Sequence, residues 1–275
     1  MKAFFGVLFE ISNEDRYRIL IELTELSRNV TQISKKLDLS LTETSRHLSR
    51  LGDIGLTKKS ADGLYSLTSY SKIILRLIPA VDFITRQKDY FLDHTLAWIP
   101  QEFIGRIGEL SDVKYIQDQI LTVGRIEAMM REAEEYIWII HDQYLMSGYT
   151  LGAKALRKGV KIRCIDPKSI RSTQEFCSEV SRDDREILDS ALSSGLCDLG
   201  TLDPIDVFLY LSEKEVAIIG FPTLEGKFDY LGFYSREDNA RKWCKDVFEY
   251  YWKKITPKHE FDYIQIDKAS KIGFN

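Results

Sequence analysis

The residues with the clearest chemical potential lie between positions 42 and 59. Arg46 and Arg50 are four residues apart, so a helix would carry both guanidinium groups on the same face. Hydroxyl and guanidinium groups on such a face can hydrogen-bond to base edges, and nearby ammonium groups can bind phosphates. The sequence therefore predicts that double-stranded DNA is contacted by seven residues: Thr42, Ser45, Arg46, Ser49, Arg50, Lys58 and Lys59.

Short elements of regular structure must position these side chains. Three helices are predicted: the first begins near Glu14, the second is capped by Thr31, and the third begins after Ser40. The spacing of Ser40 and Glu43 fits a capping box. Asp62-Gly63 then separates two short alternating runs, which predicts a hairpin. This order of elements predicts a winged helix-turn-helix whose third helix enters the major groove of DNA.

Length and periodicity predict further segments after this one. At 275 residues the chain exceeds the usual size of one domain. Residues 1–68 are predicted to form the α+β winged helix-turn-helix domain, and residues 69–123 a helical connector or dimerisation region. In residues 124–275 helical and strand periodicities alternate, which predicts an α/β domain with a mixed sheet.

Charge and composition limit the class of protein. Residues 1–75 hold 11 basic and 9 acidic residues, and the remainder holds 27 and 33. A basic module on an acidic body is typical of a nucleic-acid reader with a separate regulatory part. The short apolar N-terminus does not fit a signal peptide, and no run reaches the length of a membrane span, so we expect a cytoplasmic protein without membrane contact. Its widely spaced cysteines are expected to be reduced.

Candidate ligand-binding residues lie in the third segment. Asp142 and Asp166 follow two predicted parallel strands, and Arg163 lies within the second. Open α/β sheets bind ligands at such strand ends, so we predict a small polar effector near these three residues. The alternative is the ordinary polarity of loops. The four histidines lie far apart, and none stands at metal-ligand spacing from a cysteine or an acid, so no metal ion and no cofactor are predicted.

The DNA-binding segment resembles the winged-helix regulators of the ArsR/MarR kind. The resemblance is carried by Ile-Ser-Lys-Lys-Leu at 33–37, Ser-Arg-His-Leu-Ser-Arg-Leu at 45–51 and Gly-Leu at 55–56. The rest of the chain resembles archaeal winged-helix regulators of methanogenesis, in which a family-specific middle domain follows. The residues that indicate this are Trp-Ile-Pro-Gln-Glu-Phe at 98–103 and Arg-Ile-Gly-Glu-Leu at 106–110.

The effector segment also resembles the sensor domains of sugar-responsive TrmB-type regulators, which contain a phospholipase-D-like α/β half. The matching parts are residues 137–140, 159–163 and 248–252. Phospholipase D enzymes need a His-x-Lys pair, whereas this chain reads Ile205-Asp206-Val207 at that place. Without the imidazole nucleophile and the ammonium group that chemistry cannot run. The resemblance therefore implies a non-catalytic binding domain.

These observations together predict a DNA-binding transcriptional regulator that is a homodimer and senses a signal through its C-terminal domain. Two reading heads are expected because one module buries too little surface for discrimination between operators. A helical connector, kinked or divided at Pro79, is expected to transmit occupancy of the effector site. One alternative is a divergent phosphodiesterase or nuclease, but no nucleophile with a base partner is found, so no enzyme is predicted. Another is a protein-interaction module without DNA binding.

Overall fold

The chain divides at one place into two units, Met1–Pro79 and Ala80–Asn275. The computed structural model describes residues 2–168, 170 and 180–261. The segment 80–123, predicted as part of a connector, packs within the second unit. Cys177 lies outside the described residues, while Cys164, Cys197 and Cys244 are buried free thiols.

The described part of the first unit is helical except for one hairpin. Its core is formed by apolar side chains that are fully buried: Ile19, Leu20, Ile33, Leu48, Leu51 and Leu56. The elements are α1 (Lys2–Ile11), α2 (Glu14–Glu25), α3 (Val30–Leu37), α4 (Leu41–Asp53), β1 (Thr57–Lys59), β2 (Tyr65–Leu67) and α5 (Ser69–Arg86), in which the boundary between the units falls.

Side-chain caps begin these helices. The predicted capping box is confirmed, because the Ser40 hydroxyl accepts from the Glu43 amide at 3.2 Å and the Glu43 carboxylate accepts from the Ser40 amide at 3.3 Å. The predicted cap Thr31 is wrong. Asn29 caps α3, and Gln32 bonds back to the Asn29 amide at 2.9 Å. Asn29 and Gln32 have the same spacing as Ser40 and Glu43, so this cap was readable from the sequence.

Two further features of the first unit differ from the expectation. No helix is predicted before Glu14, yet α1 occupies Lys2–Ile11 with Phe4, Phe5 and Phe9 exposed. Pro79 lies inside α5, which continues to Arg86, so Pro79 does not end a helix. The predicted hairpin is confirmed, with β1 and β2 antiparallel.

The second unit is built on a mixed sheet, as predicted. Its strands are ordered β10-β6-β5-β4-β7-β8-β9-β3 within the described residues, and β4, β5 and β6 are parallel. The elements are α6 (Lys88–Asp93), α7 (Gln101–Ile104), a 3₁₀ turn (Ile107–Leu110), β3 (Lys114–Ile116), α8 (Gln119–Glu132), β4 (Tyr136–Ile140), α9 (Gly148–Arg157), β5 (Lys161–Asp166), α10 (Arg182–Ser194), β6 (Cys197–Thr201), β7 (Phe208–Ser212), β8 (Val216–Gly220), β9 (Gly232–Ser235), α11 (Asp238–Trp252) and β10 (Thr256–Lys258).

Both faces of this sheet are covered. In β4 the side chains of Ile137 and Ile139 enter one apolar cluster, and Trp138 and Ile140 enter the other. Successive strand residues point to opposite faces, which explains this alternation. Helices α8, α9 and α10 supply the first cluster, and α11 supplies the second. A ligand can therefore reach the central strands only at their ends.

Two glycines provide a matched test of this packing. A Cβ atom on Gly232 in β9 would lie 2.4 Å from the Ile219 carbonyl oxygen, whereas one on Gly124 in α8 meets nothing within 4 Å. We expect Gly232→Ala to lower the free energy of unfolding by about 1 to 3 kcal/mol. Gly124→Ala should raise it by about 0.5 to 1 kcal/mol, because alanine favours a helix. Urea unfolding followed by circular dichroism measures both, and equal effects would contradict this account.

Candidate functional site

Helix α4 presents a polar face to solvent. Buried side chains of Thr44, His47, Leu48 and Leu51 fix one side of the helix against the core. The opposite side carries the five residues predicted to read bases, all of which are exposed: Thr42, Ser45, Arg46, Ser49 and Arg50. The structure therefore brings these predicted residues together.

The two arginines of this face have different surroundings. Arg46 forms no ion pair within the described part of the chain. The Arg50 guanidinium donates to both carboxylate oxygens of Glu10 in α1, at 2.7 and 3.1 Å. Glu10 is buried and also forms an ion pair with Arg16 at 2.8 Å. The hydrogen bond from Arg50 lowers the pKa of Glu10 below its usual value, and the charge of Arg16 acts in the same direction.

The two predicted lysines lie in the hairpin that follows α4 along the chain. Lys58 and Lys59 belong to β1, and both are exposed. The Lys59 ammonium lies 5.5 Å from the centre of the Tyr65 ring in β2, so the two side chains form a cation–π interaction. Gly63 turns the chain between the strands with a φ of +84°, which glycine adopts readily.

A buried polar cluster lies at the carboxyl ends of β4 and β5. Asp166 is its centre, and four side chains contact its carboxylate. Oδ1 is 2.9 Å from Nε2 of His141 and 3.2 Å from Sγ of Cys164. Oδ2 is 2.8 Å from the Lys258 ammonium and 3.1 Å from the Tyr144 hydroxyl. The second ring nitrogen of His141 lies 2.8 Å from the hydroxyl of Tyr210 in β7.

Burial and charge act in opposite directions on Asp166. Burial raises its pKa, but the hydrogen bond from His141 and the charge of Lys258 outweigh burial and hold the pKa well below its usual value. Burial and the neighbouring carboxylate raise the pKa of Cys164 well above that of an ordinary thiol. The cluster therefore holds an ionised carboxylate beside a neutral thiol.

Two cavities meet at this cluster. The smaller, of about 70 Å³, is lined by His141, Cys164 and Asp166 together with apolar and aromatic side chains. The larger, of about 300 Å³, shares Tyr144, Leu145 and Tyr210 with the first and also contains Gln119, Thr122, Gln143 and Tyr230. Asp142 lies beside the larger one, 3.3 Å from the Tyr230 hydroxyl, and burial raises its pKa.

The third predicted effector residue lies elsewhere. Arg163 points to the opposite face of the sheet from Asp166, because the two are separated by an odd number of positions in β5. Its guanidinium pairs with Glu249 at 3.2 Å and stacks near the rings of Trp138 and Trp252. The structure does not bring Arg163 together with Asp166.

The sequence analysis missed much of this cluster. Cys164 and Asp166 are two positions apart in a strand, which is a readable signal for a shared face. Lys258 is 92 positions from Asp166 and Tyr210 is 69 positions from His141, so nothing local in the sequence connects them. Tertiary folding also brings together His141, Cys164 and Asp166, three side chains of types that can bind metals, although sequence spacing predicts no metal site.

Family models match both units. Residues 13–59 match the bacterial regulatory protein arsR family, and residues 125–254 match the middle domain of the methanogenesis regulatory protein FilR1. The chain is a DNA-binding transcriptional regulator. The resemblance to ArsR-type winged helices and to methanogenesis regulators is confirmed for this regulator. No curated protein matches the sequence. No helix in the described residues has the length and apolarity needed to cross a membrane.

Several solved structures are similar to parts of the regulator. TrmBL2, described as an archaeal chromatin protein with a novel mode of DNA binding, is 16% identical over 90% of this chain and 94% of its own, with a TM-score of 0.41. HlyU from Vibrio cholerae is 30% identical over 29% of this chain and 91% of its own, with a TM-score of 0.26. Nuc from Salmonella typhimurium, a phospholipase D family member, is 10% identical over 54% of this chain and 97% of its own, with a TM-score of 0.34.

The unequal surroundings of the two arginines lead to a stability test. We expect Arg50→Ala to lower the urea midpoint of unfolding, because it leaves the buried Glu10 carboxylate with one guanidinium partner fewer. Arg46→Ala should leave the free energy of unfolding within about 0.5 kcal/mol of wild type. The two single variants serve as controls for each other, and an equal loss in both would contradict the assignment.

Proposed function

We propose that this regulator reads operator DNA with the exposed face of α4, and that Arg46 is the main base-reading residue. The observation that carries the proposal is the exposed guanidinium of Arg46 among hydroxyl groups, on a helix whose other face is fixed in the core. An arginine can donate two hydrogen bonds to O6 and N7 of guanine in the major groove. Arg50 is held by Glu10 and has to leave or share that partner to reach a base.

Lys58 and Lys59 fit a different role in this proposal. Both are exposed on the hairpin, and an ammonium group on a flexible stem suits a phosphate better than a base pair. Contacts of this kind set the register of the protein on DNA and add affinity for every sequence.

The proposed division of roles predicts different binding defects. Arg46→Ala should weaken binding to the selected operator by about 1 to 3 kcal/mol and relax specificity at one base position. Lys58→Ala should weaken binding to all sequences alike and reduce the slope of log affinity against log salt by about one. Lys242, exposed on α11, provides the matched lysine control. Operators are first selected from genomic fragments, then titrated at several salt concentrations. Unchanged operator binding by Arg46→Ala would refute the proposed role.

The regulator is further proposed to act as a homodimer. Exposed apolar side chains occur on two helices of the first unit: Phe4, Phe5 and Phe9 on α1, and Ile73 and Leu77 on α5. Ile73 and Leu77 are one turn apart, so they form a stripe that a second copy can cover by two-fold symmetry. A dimer also supplies the two reading heads that a near-palindromic operator requires.

Charged substitutions test the dimer. The double variant Ile73→Glu/Leu77→Glu should sediment as a monomer and lose most of its operator affinity, because like charges would face each other across the two-fold axis. Leu26→Glu is the control, since Leu26 is equally exposed but lies at the end of α2. Sedimentation equilibrium measures the state of each variant. A double variant that remains dimeric would place the interface elsewhere.

The second unit is proposed to sense an effector in the two cavities beside Asp142 and Asp166. Support comes from their position at the carboxyl ends of β4 and β5, where open α/β sheets bind ligands. Occupancy would change operator affinity through α5, which continues from one unit into the other. Both family models describe regulators, so we also propose that the protein is not an enzyme and works in the cytoplasm with its DNA. Turnover of a phosphodiester substrate, abolished by a point change in this unit, would contradict this.

A further inference from the structure

The geometry points to a transition-metal site formed by His141, Cys164 and Asp166 in the smaller cavity. The three donor atoms are Nε2 of His141, Sγ of Cys164 and Oδ1 of Asp166, and all three residues are buried. This inference deepens the proposed sensing role and depends on that role only for its effect on DNA. Nitrogen, sulfur and carboxylate donors together suit zinc or cobalt rather than magnesium or calcium, which prefer oxygen donors alone.

The donor triangle has nearly the size that such an ion requires. Nε2 and Oδ1 are 2.9 Å apart, Sγ and Oδ1 are 3.2 Å apart, and Sγ and Nε2 are 3.6 Å apart. Bond lengths in tetrahedral zinc sites place such donors about 3.3 to 3.6 Å from one another. An ion can therefore enter the triangle after movements of a few tenths of an ångström.

Neighbouring side chains orient the donor atoms of His141 and Asp166 for metal binding. The Tyr210 hydroxyl lies 2.8 Å from Nδ1 of His141, so it can accept the Nδ1 hydrogen when an ion replaces the hydrogen bond between Nε2 and Asp166 and takes the Nε2 lone pair. Lys258 and Tyr144 bind Oδ2 of Asp166, which leaves Oδ1 for the ion. Outer partners of this kind fix the tautomer and direction of metal ligands.

An ion at this site would change the protonation of Cys164 and would keep one coordination position for a further ligand. On binding, the Cys164 thiol loses its proton to solvent and sulfur forms a bond to the metal ion, so one proton is released for each ion bound. Three protein ligands leave a fourth tetrahedral position. The three residues line the cavity of about 70 Å³, which has room for at least one water molecule or a small donor group as the fourth ligand.

Cobalt provides a direct test, because a bond from cysteine sulfur to Co²⁺ gives a charge-transfer absorption that other ligands do not. We expect tag-free regulator to show this absorption with one Co²⁺ per chain and to lose it when Zn²⁺ competes. Cys164→Ser should abolish it. Cys177→Ser, Cys197→Ser and Cys244→Ser are the controls and should retain it. Absence of the absorption in wild type, or its persistence in Cys164→Ser, would overturn the site.

A second variant keeps the test independent of folding. Tyr210→Phe retains the ring but removes the hydroxyl near His141, so the absorption should remain while metal affinity falls about 10- to 100-fold. Unchanged affinity would count against the proposed orientation of His141. Operator titrations with and without Zn²⁺ then separate the two proposals. A metal that binds through Cys164 yet leaves operator affinity unchanged would refute sensing by the metal and leave the site intact.

Discussion

A buried carboxylate constrains the strand ends at one edge of the second unit. An ionised Asp166 away from water is tolerable only if charged and hydrogen-bonding partners replace its hydration. Those partners come from distant parts of the chain: His141 follows β4, Lys258 ends β10, and Tyr144 precedes α9. Their convergence fixes the ends of three strands relative to one another. The smaller cavity is lined by His141 and Asp166, and it shares Tyr144 and Tyr210 with the larger one.

The first unit also contains a buried carboxylate that needs charged partners. Glu10 is buried and needs cationic partners, and these come from Arg16 in α2 and Arg50 in α4. The ion pairs tie α1 to α2 and to α4, the helix that carries the residues proposed to read DNA. A side chain that holds a buried charge in place cannot reach a base without giving up part of that contact. The two arginines of one helical face therefore differ in their surroundings even though the sequence presents them alike.

Local signals explain most of what the sequence could predict. The spacing of capping residues, the alternation of apolar residues and the Asp62-Gly63 turn are local signals. They predicted α4, the hairpin and the parallel strands, because each of these depends on residues within a few positions. Apolar α1 was missed, and the structure places its phenylalanines in solvent rather than in the core. The structure brings only two of the three predicted effector residues to the same end of the sheet. Proximity to strand ends located Asp142 and Asp166, but counting positions in β5 would have placed Arg163 on the other face.

The state of the buried cluster favours binding over nucleophilic chemistry. A cysteine acts as a nucleophile as its thiolate, and here burial and the adjacent carboxylate keep the pKa of Cys164 high. The Asp166 carboxylate is hydrogen-bonded to Lys258 and His141, and His141 also contacts Tyr210. Neither Asp166 nor His141 is therefore positioned to take a proton from a substrate. The proposed cation would instead replace the thiol proton of Cys164 and the hydrogen bonds among these three side chains. This arrangement agrees with the proposal that the second unit binds a ligand.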